Sequence, residues 1–257
     1  MSLLRIEGLT RRFGGLVAVD DVSLDIPADG LSAIIGPNGA GKTTLFNMIS
    51  GFIPPSAGSV HFDGQKISGL PPESIARRGL IRTFQLVQLF EGLTVLENVK
   101  VGCHLHTRGG LLAALMPLSR ARAEEASVEV TARRLVEETG LASQAGTYAA
   151  VLPYGQKRLL EITRALAARP KLLLLDEPAA GLNRQETDAL AILLRRIVAE
   201  GTAILLIEHD MNLVMNVADR IAVLDFGRLI AKGKPDEVRR NPDVIAAYLG
   251  TQEAARA

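Results

Sequence analysis

Gly36-Pro37-Asn38-Gly39-Ala40-Gly41-Lys42-Thr43, with Thr44 behind it, decides how the rest of the chain is read. The order is a glycine, four free positions and then Gly-Lys-Thr, the pattern of a phosphate-binding loop. A triphosphate needs many donors within a few ångströms, and only a chain with small or absent side chains wraps that tightly. Gly36, Gly39 and Gly41 permit the wrap and let backbone N–H groups turn inward. Lys42 supplies a mobile point charge for the β- and γ-phosphates, and Thr43 a hydroxyl for Mg²⁺. The flanks agree. Leu31–Ile35 is apolar and strand-like, while residues 44–50 carry apolar side chains at helical spacing until Gly51 and Pro54-Pro55. Such a helix aims its positive end at a bound anion. A glycine-rich turn without a ligand is the bland alternative, and the strand–loop–helix setting speaks against it.

Size and composition bound the remaining classes. At 257 residues the chain can bury a substantial core. A net charge of +1 gives no electrostatic argument for nucleic acid or an anionic membrane. One cysteine, Cys103, rules out an internal disulfide and suits a reducing compartment. The start, Met1-Ser2-Leu3-Leu4-Arg5, reaches charge at once and does not read as a secretory signal. The apolar stretch 111–118 holds Pro117 and falls far short of the roughly eighteen residues that span a bilayer. The expectation is a soluble, cytoplasmic-type protein whose apolar share of 47% leaves room for a docking face.

Residues 3–9 read as a strand, 11–15 as a turn and 22–26 as a second strand, with a hairpin about Asp63-Gly64. A short strand at 81–85 ends in a glutamine. From 86 to about 169 the texture turns helical, at 93–101, 121–139 and 155–168, with Gly140 closing one helix. Beyond Pro170, strands at 172–175, 203–207 and 220–224 alternate with helices at 184–200 and 211–218. That alternation implies a parallel sheet with helices on its faces. Two short helices near 235–240 and 242–248 close the chain. The expected class is α/β: a P-loop NTPase core with a mixed, mainly parallel sheet and an antiparallel N-terminal β portion. A helical subdomain at about 86–169 is inserted between 1–85 and 170–250, the whole forming one domain with 251–257 as a tail.

Leu172-Leu173-Leu174-Leu175-Asp176-Glu177 is an apolar strand delivering two carboxylates at its end. Strands buried in a parallel sheet look like this, and ligands sit beyond their carboxyl ends. Asp176 is the candidate for Mg²⁺, and Glu177 for deprotonating the attacking water, a role worth on the order of 10²–10⁴ in rate. A strand that merely ends in solvated acids is the competing reading.

Leu152-Pro153-Tyr154-Gly155-Gln156 lies just upstream of that strand. With it, essentially the whole chain resembles the ATP-binding subunits of ABC transporters, which carry Leu-Ser-Gly-Gly-Gln at this place. The resemblance implies two cassettes facing head to tail, each ATP held between one subunit's phosphate loop and Tyr154, Gly155 and Gln156 of the other. It further implies that Gln85 senses Mg²⁺ and the γ-phosphate and couples to the membrane partner. His209 then contacts the γ-phosphate as a switch, and Phe13 lies against adenine. Packing or surface roles compete for Phe13 and Gln85, and a metal-ligand role for His209. Three positions depart from the family: Pro153 has neither hydroxyl nor N–H, Tyr154 replaces a glycine, and Asn183 stands where an aspartate is usual.

Finer likeness comes from Arg82-Thr83-Phe84-Gln85, from Asp176-Glu177-Pro178-Ala179-Ala180-Gly181-Leu182-Asn183, and from the tail Asn241-Pro242-Asp243-Val244-Ile245-Ala246-Ala247-Tyr248-Leu249-Gly250. These resemble the longer ATPase of branched-chain amino-acid importers. The implied partners are a second ABC ATPase, as hetero- or homodimer, two integral-membrane permeases and indirectly a substrate-binding protein. No nucleic acid is implied, and the implied place is peripheral, on the cytoplasmic face of the membrane. Related importers carry urea, amides or aromatic acids, and soluble ABC ATPases of repair, translation or cluster assembly share the motifs. A small-molecule kinase has no use for residues 152–156. Segment 101–118, apolar and histidine-bearing, is the expected docking face. Asp225-Phe226-Gly227 reads as a hairpin turn and not as a kinase magnesium motif, and Cys103-His104-Leu105-His106 matches no standard zinc spacing.

Overall fold

The structure, a computed structural model, describes residues 2–106 and 118–254. Most of the expected docking segment 101–118 lies outside the described residues. The chain begins with β1 (Ser2–Phe13), β2 (Leu16–Pro27), β3 (Leu31–Ile35), α1 (Lys42–Ile49), β4 (Ala57–Phe62), β5 (Gln65–Lys66), α2 (Pro72–Ala76) and β6 (Leu80–Arg82). Three helices follow, α3 (Val95–Cys103), α4 (Leu118–Glu138) and α5 (Tyr154–Ala167). The remainder is β7 (Leu172–Asp176), α6 (Arg184–Ala199), β8 (Ala203–Ile207), α7 (Met211–Val217), β9 (Arg220–Asp225), β10 (Arg228–Gly233), α8 (Pro235–Arg239) and α9 (Pro242–Ala254).

Two compact units divide these elements. One comprises Met1–Arg82, Lys171–Ala180 and Thr187–Ala257, the other Thr83–Pro170 and Gly181–Glu186. The first contains an antiparallel sheet in the order β2-β1-β4-β5 and a six-stranded sheet in the order β10-β9-β3-β8-β7-β6. Within the six-stranded sheet only β10 runs antiparallel to its neighbour. β3, β7 and β8 are buried at every residue, which their unbroken apolar sequences require and which parallel strands covered on both faces provide. Because β3, β8 and β7 are adjacent and parallel, their carboxyl ends open at one edge. The phosphate loop, His209 and Glu177 all leave from there, which is how the sheet assembles the site.

Several boundaries differ from the sequence reading for identifiable reasons. Arg11, Arg12 and Phe13 stay in β1, because that strand continues to pair with β2 opposite Val19, Val17 and Leu16 after bulging near Gly8. Only Gly14 and Gly15 make the turn. The strand expected at 81–85 stops at Arg82. Beyond it the backbone is captured by the helical unit: the Arg158 guanidinium donates to the carbonyls of Phe84 at 2.8 Å and Gln85 at 2.9 Å. α2, absent from the sequence reading, starts with Pro72 just inside its first turn, where a proline loses no hydrogen bond.

In the helical unit α3, α4 and α5 share a core that includes Val95, Val99, Ala132, Val136 and Leu160. Thr94 and Glu97 cap α3 reciprocally. Gly102 lets α3 approach α5 closely, since a Cβ there would strike the Arg164 carbonyl oxygen. Arg158, fully buried, is neutralised by Glu161 at 2.7 Å.

Candidate functional site

At the end of β3 the phosphate loop is shaped by its glycines. Gly36 and Gly41 have φ of 149° and 96°, and a Cβ on either would strike a backbone carbonyl, of Leu224 or of Ala18. No side chain caps α1 and no acid stands in its first turn, so its leading N–H groups are left to an anion. Lys42 is buried and folded back over the loop, donating from Nζ to the carbonyls of Gly36 at 2.7 Å and Pro37 at 2.8 Å. Burial holds this ammonium below the usual lysine range, with Glu177 and Asp176 pulling the other way. The mobile charge expected from the sequence is thus parked on the loop's own carbonyls.

A cavity of about 470 Å³ is lined by Phe13, Asn38, Gly39, Ala40, Gly41, Lys42, Thr43, Thr44 and Glu177, together with Leu16, Val17, Ala18 and Phe226. Glu177 follows the end of β7 with a left-handed backbone, φ 47°, and its N–H donates to Ile207 at 2.9 Å. A non-glycine residue held this way is uncommon and gathers at functional positions. His209 Nδ1 lies 3.8 Å from the Glu177 carboxylate and its side chain is mostly exposed.

Two buried charges behind this surface escaped the sequence reading. Arg82 pairs with Asp176 at 3.0 Å, both side chains almost wholly buried. The same guanidinium donates to Asn47 at 2.7 Å and Ser50 at 2.8 Å, and lies over the rings of Phe46 and Phe52. It therefore ties the end of β7 to the phosphate-loop helix. Glu208 is completely buried and accepts from the N–H groups of Ala179 at 2.8 Å, His209 at 3.0 Å and Asp210 at 3.3 Å. Burial raises its pKa, against the pull of those donors. One carboxylate thus joins the segment after Glu177 to the segment that carries His209.

The helical unit holds the remaining expected residues. α5 starts at Tyr154 behind Pro153, with no side-chain cap. Gly155 is required there because a Cβ would strike the Glu186 carboxylate, and Gly181 lies against the Tyr154 ring. Gln156 Oε1 is buried and finds no hydrogen-bond partner among the described residues. Gln85 belongs to the same unit through its carbonyl bond to Arg158. Asn183, which stands where the family usually has an aspartate, exchanges hydrogen bonds with Glu186: the Asn183 N–H donates at 2.9 Å and its side chain accepts from the Glu186 N–H at 3.1 Å. It works as the N-cap of α6.

Comparison with known proteins now bears on this arrangement. The ABC transporter family profile matches residues 19–180. The chain belongs to the ABC transporter ATP-binding family. A second profile, described as branched-chain amino acid ATP-binding cassette transporter, matches residues 228–254 of this cassette. The high-affinity branched-chain amino acid transport ATP-binding protein BraF of Pseudomonas aeruginosa is 47% identical over 249 residues, covering 96% of this chain and 98% of BraF. LivG of Escherichia coli, described in the same words, is 45% identical over the same shares. Among solved structures, the ADP conformation of an ATP-binding cassette of an ABC transporter superposes with a TM-score of 0.84 at 33% identity, over 97% of this chain and 99% of that one. A dimeric post-hydrolysis cassette bound to ADP and Pi gives 0.75 at 25% identity, over 90% and 98%. The cassette is therefore a nucleotide-binding ATPase of the ABC class, with the P-loop core expected from its sequence. Among its described residues no group of three or more His, Cys, Asp or Glu could hold a metal ion.

Proposed function

We propose that this chain is the ATP-binding and ATP-hydrolysing subunit of an importer for branched-chain or other hydrophobic amino acids. It would drive permeases through ATP-dependent, head-to-tail pairing with a second cassette. The observation that carries this reading is the cavity whose lining includes Lys42, Thr43 and Glu177. ATP seated there receives the loop's N–H groups and the first turn of α1 on its phosphates. Lys42 exchanges its two carbonyl partners for β- and γ-phosphate oxygens, whose charge favours the ammonium that burial disfavours. Glu177 takes the proton of the attacking water while His209 meets the γ-phosphate. Phe13 lies against adenine.

Thr43 and Asp176 offer oxygen donors, the chemistry Mg²⁺ prefers for an ion shared with substrate phosphates. Bound there, Mg²⁺ would offset charge on the phosphate oxygens. Tyr154, Gly155 and Gln156 present the uncapped start of α5 to the γ-phosphate on the second cassette. That second cassette is another copy or a companion ATPase. No helix among the described residues is long and apolar enough to cross a membrane. We assign the crossing to two separate permeases that hold this chain peripherally on the cytoplasmic face, with a substrate-binding protein beyond them. The names of BraF and LivG support the cargo.

Glu177→Gln tests the chemistry. It is expected to bind ATP as the wild type does and to lose at least about a hundredfold in turnover; hydrolysis at the wild-type rate would remove Glu177 as the base. For the cargo, deletion of the chain should abolish high-affinity leucine uptake, restored by the wild type and not by Glu177→Gln. Uptake unaffected by the deletion would contradict that assignment.

A further inference from the structure

The turn between β9 and β10 carries an aromatic ring where the backbone favours something else. Asp225 pairs with Arg228, so Phe226 and Gly227 alone make the connection, and both have positive φ, 42° and 79°. Two-residue turns of this kind take Asn-Gly or Asp-Gly most readily, and a bulky aromatic in the left-handed region is strained. Core packing does not compensate, because Phe226 is 83% exposed. The turn is nevertheless fastened to the phosphate loop. Gly227 N–H donates to the Ala40 carbonyl at 3.1 Å, and Asp20 N–H donates to the Gly227 carbonyl at 2.8 Å. This fastening makes Phe226 part of the lining of the 470 Å³ cavity. The lining is polar at Lys42, Thr43 and Glu177, and apolar at Phe13, Leu16 and Phe226. A ligand with phosphates at one end and a flat ring system at the other matches that division.

We infer that Phe226 is a second base-contacting residue, its ring packing against the purine of the bound nucleotide and making the site select a nucleoside triphosphate over the bare polyphosphate chain. The strained turn is then kept for the ring it presents, and not for the hairpin, which Asn-Gly would close with less strain. This inference rests on the nucleotide-binding reading above and adds a residue to it.

Competition against a fluorescent ATP analogue, with ATP and with inorganic tripolyphosphate as competitors, separates the two readings. Phe226→Asn is the informative variant, since asparagine suits the left-handed turn and should leave the melting temperature no lower than that of the wild type. The expected result is ATP affinity weakened about 5- to 150-fold, the range of base–aromatic stacking, with tripolyphosphate affinity unchanged. Phe226→Leu, which keeps apolar bulk without a π-face, should fall between. Unchanged ATP affinity in Phe226→Asn would overturn the assignment, and so would equal losses for ATP and tripolyphosphate, which would mean that the turn acts through the loop's shape. Unchanged affinity in the isolated subunit combined with lost ATP-driven pairing would move the ring to the subunit interface and also overturn it. If the wild type bound neither competitor, the nucleotide reading itself would fail.

Discussion

Arg82→Met keeps an unbranched apolar stem and removes the guanidinium that pairs with Asp176 at 3.0 Å and donates to Asn47 and Ser50. Both charged side chains are nearly inaccessible, at 6% and 2%, so the substitution takes the close cationic partner from a carboxylate held away from water, with the Lys42 ammonium still acting on it. Removing one member of a buried pair costs about 3–5 kcal/mol, most of it the penalty of the orphaned charge. Unfolding entropy near 2.1 cal/mol/K per residue over 257 residues gives about 0.5 kcal/mol/K, so the melting temperature should drop by about 6–9 °C. Asp176→Asn added to Arg82→Met removes the under-compensated charge and should recover about 2 kcal/mol or more, a coupling that only interacting residues show. Urea and thermal unfolding of the wild type, both single variants and the double variant, all without nucleotide, measure the cycle. If the two losses simply added, Arg82 would not be what neutralises Asp176, and its tie between β7 and the phosphate-loop helix would be incidental.

Gly36→Ala places a methyl group against the Leu224 carbonyl at a φ that alanine avoids. It should abolish detectable ATP binding and destabilise the fold by more than about 1 kcal/mol; a variant that still bound the fluorescent analogue would show that the loop does not need this wrap. Glu208→Gln probes the buried carboxylate. Burial raises its folded pKa, so between the ordinary glutamate value and that raised value the native state binds more protons than the unfolded chain. The stability due to this group therefore falls as pH rises through that window. The difference in unfolding free energy between wild type and Glu208→Gln should shift in favour of the wild type on acidification from pH 8 to 5, by no more than about 1.4 kcal/mol per unit. A difference independent of pH would contradict the assignment of a buried, titrating carboxylate.

What could be read from the sequence was what local chemistry dictates. The glycine spacing at 36, 39 and 41 has few other uses, and the unbroken apolar runs of β3, β7 and β8 announce strands covered on both faces. Less legible were features whose meaning lies in a distant partner. The strand at 81–85 could not be seen to stop at Arg82, because the guanidinium that takes up the carbonyls of Phe84 and Gln85 comes from α5. Arg82 itself acquires a role only beside a carboxylate 94 positions away. Asn183 could be seen to replace an aspartate, but its exchange with Glu186, which places it at the start of α6, could not. Phe226 passed as part of an ordinary hairpin turn, since its place in the cavity follows from the backbone bonds that tie Gly227 to Ala40 and Asp20.

The most direct test of the account is the structure of the Glu177→Gln protein trapped with ATP and Mg²⁺, alone or with a companion ATPase. The account predicts each triphosphate seated on Lys42 and Thr43 of one cassette and closed over by the start of α5, residues 154–156, of the other. ATP enclosed within a single chain, or bound away from the phosphate loop, would contradict it.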